Sequence, residues 1–418
     1  MERALLVTIE LDSEKRGWKL EDIAQEMEEL AFTCGVDIAD NIFCLRERPT
    51  PNLFIGKGKV EEIAVICEEE KVDTVIFSHD LSGIQQRNLE EVIGRKTIDR
   101  TQLILDIFAK HALSPEGKMQ VELAQLEYLL PRLIGKGVIL SRLGGGIGTK
   151  GPGEQKLEVD RRRIRKRIDK LKSDIRHLAL HRQTMRKKRK ENALPAVALV
   201  GYTNAGKSTL INTLTNSGQT VSDGLFTTLD PVYKRLELPN GERLILSDSV
   251  GFLHSLPHHL IEAFKATLED VTYADLLIHV LDVGHARIYE HYQAVMEVLK
   301  ELDAADKPVI TVLNKIDLLE DRSWLERLKS EFAGSLPISA VTKENLDLLL
   351  EEVQKVFSGR MASLELEVAH SRMDLIDLFY REGKVRQVDY LPEGVRVKAS
   401  LPKALVNKLL GKKYIRII

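Results

Sequence analysis

Residues 197–214 read VALVGYTNAGKSTLINTL, and the reading of this stretch decides the architecture of the chain. An apolar, β-rich run leads into Gly201-Tyr202-Thr203-Asn204-Ala205-Gly206-Lys207-Ser208-Thr209, and an amphipathic helical pattern follows at once. This is G-x-x-x-x-G-K-S in the strand–loop–helix setting that gives the motif its meaning. The glycines let backbone N–H groups wrap phosphates, and the helix N-terminus adds its dipole. Lys207 is expected on the β- and γ-phosphates, with the Ser208 hydroxyl on Mg²⁺. The loop alone says only that a nucleoside triphosphate is bound.

Three later segments narrow it. In LILSDSVGF, Asp248 closes an apolar strand and Ser249-Val250-Gly251 follow, so the carboxylate is placed to serve the metal and the Gly251 N–H to sense the γ-phosphate. In PVITVLNKID, Asn314-Lys315-Ile316-Asp317 ends another strand. Its carboxylate can accept from guanine N1–H and N2–H, a donor pair that adenine lacks. In LPISAVT, Ser339-Ala340-Val341 follows a short apolar run, where a backbone N–H can meet guanine O6. Between the phosphate loop and Asp248 lies GLFTTLDPVYKR, whose Phe226-Thr227-Thr228-Leu229-Asp230 occupies the place of a first switch. There Thr228 is the residue expected to complete the Mg²⁺ shell with Ser208. Four pieces in this order describe a GTP hydrolase, with Lys207, Thr228 and Gly251 as its catalytic residues.

Working outward, residues 1–110 alternate strand patterns (ALLVTI, NIFCL, DTVIFS, KTIDR) with helical ones, as a small, largely parallel α/β domain does. Its loop FIGKGKVEEI (54–63) has Gly56 and Gly58 just ahead of a helix and could hold a phosphate on exposed N–H groups, but the short motif favours a plain turn with helix-capping lysines. From 111 to 192 the pattern is helical. Met119, Leu123, Leu126, Leu130 and Leu133 step by four and three, and Ile164, Ile168, Leu171, Ile175, Leu178 and Met185 supply a second seam. Two such seams predict an antiparallel coiled-coil hairpin. LGGGIGTKGPGE (143–154) lies at its tip. Gly146-Ile147-Gly148-Thr149-Lys150-Gly151 matches the dinucleotide fingerprint, but no buried strand precedes it, so no cofactor site is expected there. The G domain spans 193–358. Residues 359–418 read β-α-β-turn-β-α-β, a small ferredoxin-like domain. The predicted fold class is thus α/β: a P-loop NTPase G domain preceded by an α/β N-terminal domain with a coiled-coil hairpin, and followed by a small α+β C-terminal domain.

The overall charge of −2 across 418 residues hides an asymmetry. Segment 156–190 holds 16 Lys/Arg against 4 Asp/Glu, so the remainder carries −14. DRRRIRKRIDK and MRKKRKEN lack the acidic partners of a self-neutralised helix, which points to nucleic-acid contact. A basic helix can also lie on an anionic membrane, but this seam has no aromatics and a partner helix covers it. Cys34, Cys44 and Cys67 form no C-x-x-C pair and suit reduced thiols in the cytoplasm. The N-terminus reads as no signal peptide, and no stretch is apolar for long enough to span a bilayer.

Taken together, FIGKGKVEEI, LGGGIGTKGPGE with the arginine-rich helix, GYTNAGKSTL, LFTTLDP and DSVGF resemble the HflX family of Obg-related translation-factor GTPases. The resemblance covers nearly the whole chain, with Ser249 where the family usually has Thr. It implies a cytoplasmic, monomeric GTPase, cycling between GTP and GDP with Mg²⁺. It also implies that the protein binds the large (50S) ribosomal subunit and dissociates ribosomes, notably under stress, with ribosome-stimulated hydrolysis. In that family the hairpin lies on ribosomal RNA and its tip approaches the peptidyl-transferase region. A regulatory switch that recruits a protein or membrane effector is the alternative. The position where Ras-like enzymes orient water with Gln holds Phe252, which predicts slow intrinsic hydrolysis.

Overall fold

The computed structural model describes residues 2–12, 18–133, 152–191, 194–216, 225–226, 232–254, 257, 260, 268–409, 412 and 414–418. The chain divides into two compact units. The first comprises Met1–His181 with Ser222–Asp230 and Ser255–Thr267. The second comprises Arg182–Val221, Pro231–His254 and Leu268–Ile418.

In the first unit, β1 (Arg3–Leu11), β2 (Asp37–Arg46), β3 (Thr74–Phe77) and β4 (Lys96–Asp99) form a wholly parallel sheet in the order β2-β1-β3-β4. β1 is paired on both edges, so its run from Ala4 to Ile9 is buried throughout, as an inner parallel strand requires. The helices between the strands are α1 (Leu20–Thr33), α2 (Lys57–Glu69), α3 (Gly83–Ile93) and α4 (Arg100–His111). Ser82 caps α3 by accepting from Gln85 N, and Gly94 ends it in the left-handed region at φ 71°. The predicted alternation of strand and helix is the one observed. All three cysteines are buried thiols, and burial pushes that of Cys34 up to about 11.

α5 (Pro115–Arg132) and the 40-residue α6 (Pro152–Glu191) carry the two apolar seams. Leu123, Ile168 and Leu171 are buried between them, flanked by Met119, Leu126, Leu130, Ile164 and Ile175. One expectation changes here. Arg167 makes two 2.6 Å bonds to Glu122, and Lys172 lies 2.7 Å from Glu127, so α5 supplies acidic partners that the basic helix lacks in its own sequence. Arg162, Arg163, Arg165, Lys166, Lys170 and Arg176 lie on exposed positions of α6. The glycine loop, with Arg142, Gly144 to Gly148 and Lys150, falls outside the described residues.

The second unit holds two sheets. Six strands run in the order β10-β9-β8-β5-β7-β6, with β5 (Ala196–Gly201), β7 (Arg243–Asp248), β8 (Leu276–Asp282), β9 (Val309–Asn314) and β10 (Leu336–Pro337) parallel. The edge strand β6 (Val232–Glu237) is antiparallel to β7. Helix α7 (Lys207–Thr215) follows β5, α8 (Ile288–Glu301) joins β8 to β9, α9 (Ser323–Glu331) joins β9 to β10, and α10 (Leu346–Phe357) follows β10. Val197, Leu199, Leu210, Leu246, Ile278, Val280 and Leu349 are at the heart of its core. The last sheet contains β11 (Met361–Val368), β12 (Lys384–Leu391), β13 (Gly394–Pro402) and β14 (Ile415–Ile417), in the order β12-β13-β11-β14. α11 (Asp374–Glu382) and α12 (Lys403–Leu409) complete the β-α-β-β-α-β pattern read from the sequence.

Candidate functional site

β5, β7 and β9 deliver Gly201, Asp248 and Asn314 to the same, carboxyl-terminal edge of the parallel sheet. That edge is where an open α/β sheet binds its ligand. Two glycines are dictated by space. A Cβ on Gly201 would lie 2.4 Å from Val280 O, and one on Gly206 would lie 2.3 Å from Asn314 Nδ2. Gly206 also has φ +92°, a backbone setting that side chains rarely adopt, and it caps α7 with its N–H groups facing the loop.

Lys207 is 6% exposed, and its ammonium donates to Gly201 O at 3.0 Å and Tyr202 O at 2.7 Å. Burial brings its pKa down to about 8, with Asp248 opposing the drop and Lys315 adding to it. A bound polyphosphate adds negative charge and favours the ammonium. Ser208 Oγ donates to Asp248 Oδ2 at 2.6 Å, the carboxylate buried and the hydroxyl-bearing residue half-buried. A hydroxyl and a carboxylate oxygen this close suit a hard, oxygen-seeking divalent cation whose remaining ligands come from phosphate and water. No cluster of three or more His, Cys, Asp or Glu among the described residues forms a separate cage.

Asn314 ties the edge together. Its Nδ2 donates to Ala205 O at 2.9 Å and its Oδ1 accepts from Ala340 N at 3.0 Å. The sequence reading gives a backbone N–H of this loop to guanine O6, whereas Ala340 N is engaged by the buried amide, which must satisfy its own oxygen. Ser339 is buried and accepts from Thr342 N, a bond that shapes the turn. Lys315 sits at φ 67° and pairs with Asp282 at 2.7 Å, while Asp317, next to Ile316 in a short 3₁₀ turn, is exposed, as is Val341. Ser249 Oγ donates to Leu199 O at 2.6 Å, so this Ser anchors its strand end to β5. Phe252 is fully buried, which removes its ring from any water-orienting role.

Phe226 stands at φ 57° in the first unit, its ring buried and edge-on to Phe108 of α4 with 4.6 Å between centroids. Thr227, Thr228, Leu229 and Asp230 fall outside the described residues. Sequence reasoning also missed Thr213, whose hydroxyl donates to Ala340 O at 2.8 Å and braces α7 against the base-side loop. Only a polar residue on an otherwise core-facing helix hinted at it.

Four family models match in succession. They are "GTP-binding GTPase N-terminal" over 21–109, "GTP-binding GTPase Middle Region" over 111–189, "50S ribosome-binding GTPase" over 196–315 and "HflX C-terminal domain" over 326–409. The "GTPase HflX" of Caldanaerobacter subterraneus subsp. tengcongensis is 45% identical over 98% of this chain and 93% of its own length. The chain belongs to the HflX family of GTPases. The Escherichia coli K12 member is 41% identical, with 91% of this chain and 88% of that one covered. Among solved structures, a GTP-binding protein from Sulfolobus solfataricus in complex with GDP is 26% identical, covering 86% of this chain and 99% of that one, at a TM-score of 0.44. As an HflX-family GTPase, the protein hydrolyses GTP. Among the described residues, no helix is long and apolar enough to cross a membrane.

Proposed function

We propose that this HflX-family GTPase is a cytoplasmic monomer that binds the large ribosomal subunit through ribosomal RNA. In its GTP-bound state it separates the subunits, and hydrolysis permits its release. The observation that carries the reading is the row of exposed Arg and Lys on α6, on a chain whose G domain matches a 50S-binding family. Counterion release from RNA phosphates is the physical source of such affinity. The parts divide the work as the sequence does: 1–110 and the hairpin of 111–192 for contact, 193–358 for GTP, and 359–418 for docking.

In hydrolysis, Lys207 neutralises charge on the β- and γ-phosphates, Gly251 N–H meets the γ-phosphate, and Ser208 with Thr228 would hold Mg²⁺, Asp248 standing behind Ser208. A metal held there would supply positive charge to offset that of the phosphates. No side chain at position 252 can hold the attacking water, so a partner must order it. Hydrolysis by the isolated protein is therefore expected to be slow, rising at least about tenfold with large subunits.

Binding to large subunits is expected to be tighter with a GTP analogue than with GDP in sedimentation through sucrose. It should also weaken steeply with KCl. Replacing Arg161, Arg162 and Arg163 with Ala should lower the log–log salt slope by up to about two to three units while sparing GTP affinity. Deleting Gly144 to Gly148 should spare most of the affinity yet impair 70S dissociation measured by light scattering. Unchanged affinity and slope in the triple variant would leave the helix a solvated face and favour the effector-switch alternative.

A further inference from the structure

Past Asp248 the chain does not leave the phosphate loop. Phe252 N donates to Gly201 O at 3.1 Å, and Phe252 O accepts from Thr203 N at 2.9 Å, forming an isolated parallel bridge with Tyr202. A third bond comes from a side chain, with Tyr202 Oη accepting from His254 N at 2.9 Å. The tyrosine ring cannot swing freely. It is 5% exposed and lies flat on His291 of α8, with centroids 3.7 Å apart and planes 4° apart. His291 in turn rests against His285 at 4.1 Å. Burial, reinforced by His285, Arg287 and His254, pushes the His291 pKa down to about 3, so the stacked face is a neutral imidazole.

What this arrangement clamps is Gly251. A Cβ there would stand 2.7 Å from Thr203 Cγ2, 2.9 Å from Thr203 Cα and 3.2 Å from Lys207 Nζ. The ammonium and the Gly251 backbone are the two groups that take opposite sides of a γ-phosphate. Gly251 is thus packed against Thr203 on the side of the ammonium, where a γ-phosphate shared by Lys207 and the Gly251 N–H would enter. A diphosphate needs only the loop and Lys207, whereas a triphosphate must lift Gly251, and with it the bonds of Phe252 and His254.

We propose that Tyr202 is a positioning residue that sets the GTP-to-GDP preference of this site, holding the second switch on the phosphate loop in a setting that suits a diphosphate and resists the γ-phosphate. The inference rests on the GTPase site alone and is independent of the ribosomal reading.

Tyr202→Phe keeps the stacked ring and removes the hydroxyl acceptor; His291→Ala keeps the acceptor and removes the stack. Isothermal titration of the full chain with GDP and with the β,γ-imido analogue of GTP gives the ratio of the two affinities. In each variant the analogue should gain on GDP about three- to tenfold, the worth of one hydrogen bond. The double variant should gain no more than the larger single one, because both changes act on one latch. A merely structural role would lower both affinities together and leave the ratio alone. A ratio unchanged or lowered in either folded variant overturns the proposal, and each variant tests it without the other.

Discussion

The two parallel sheets of this protein are built alike and end differently. Each presents an aspartate at the carboxyl end of a strand, Asp99 on β4 and Asp248 on β7, and each has a glycine-flanked lysine at a helix start. Asp99 is wholly enclosed by the protein's own donors. Its oxygens accept from Leu81 N at 3.0 Å, Gln102 N at 2.9 Å, Tyr128 Oη at 2.8 Å and Arg132 at 2.9 Å. Asp248 faces the Ser208 hydroxyl beside a buried lysine and two loops carrying left-handed residues. At Gly56, by contrast, the helix start has an ordinary φ of −70°, and Lys57 and Lys59 pair with Glu61 and Glu62 on their own helix. The same scaffold thus makes a structural knot in one place and a reactive edge in the other. The difference lies in what surrounds the strand-end carboxylate, four enclosing donors at Asp99 and the Ser208 hydroxyl beside a buried lysine at Asp248.

The largest effect expected from testing this contrast is at Asp317. Replacement by Asn removes the acceptor for the guanine donors and should shift preference towards xanthine nucleotides by about 10³- to 10⁴-fold, read by competition between GTP and XTP. Unchanged GTP affinity without any gain for XTP would take base reading away from this residue. Next comes Asp99→Ala. Removing the buried carboxylate takes away the ion-pair partner of Arg132 and the acceptor of Leu81 N, Gln102 N and Tyr128 Oη, and should destabilise the first unit by about 3–5 kcal/mol in denaturant unfolding. GDP affinity should stay within about twofold, since the knot holds no nucleotide.

The smallest effect is a pH dependence. His279 lies fully buried in β8, stacked on Tyr292, and burial with the nearby Lys207 charge pushes its pKa down to about 3. Above the ordinary imidazole value near 6.5 it is neutral both folded and unfolded. Below that, the unfolded chain takes up a proton that the folded strand refuses until about pH 3, so stability falls as pH falls. At pH 5 the loss is about 2 kcal/mol for this group. His291 shares the direction, so His279→Leu should remove about half of the slope seen in unfolding curves between pH 7 and 5.

The phosphate loop, the strand-end Asp248 and the N-K-x-D run were legible because their chemistry is local, with each motif fixing its backbone within a few residues. The strands and helices of the first unit were legible from periodicity, as were Leu123, Ile168 and Leu171 in the hairpin seam. What stayed hidden depends on residues far apart in sequence. Nothing in the strings around Asp99 and Arg132 announces their pairing across 33 residues. The spacing of Tyr128 and Arg132, one helical turn apart, was the available hint, and the guanidinium does stack over that ring at 3.4 Å. The stack of Tyr202 on His291 had no signal at all, nor had the edge-on contact of Phe226 with Phe108, 118 residues earlier in the chain.

Asn314 has a consequence for kinetics. Both ends of its amide are satisfied inside the protein, by the phosphate loop on one side and the base-side loop on the other. The two halves of the pocket are therefore riveted in register by the protein's own bonds. An incoming guanine nucleotide meets a mould already set, so little of its binding energy goes into ordering those loops. Capture by these two loops should then proceed at the speed of encounter, with the slow events left to the switches.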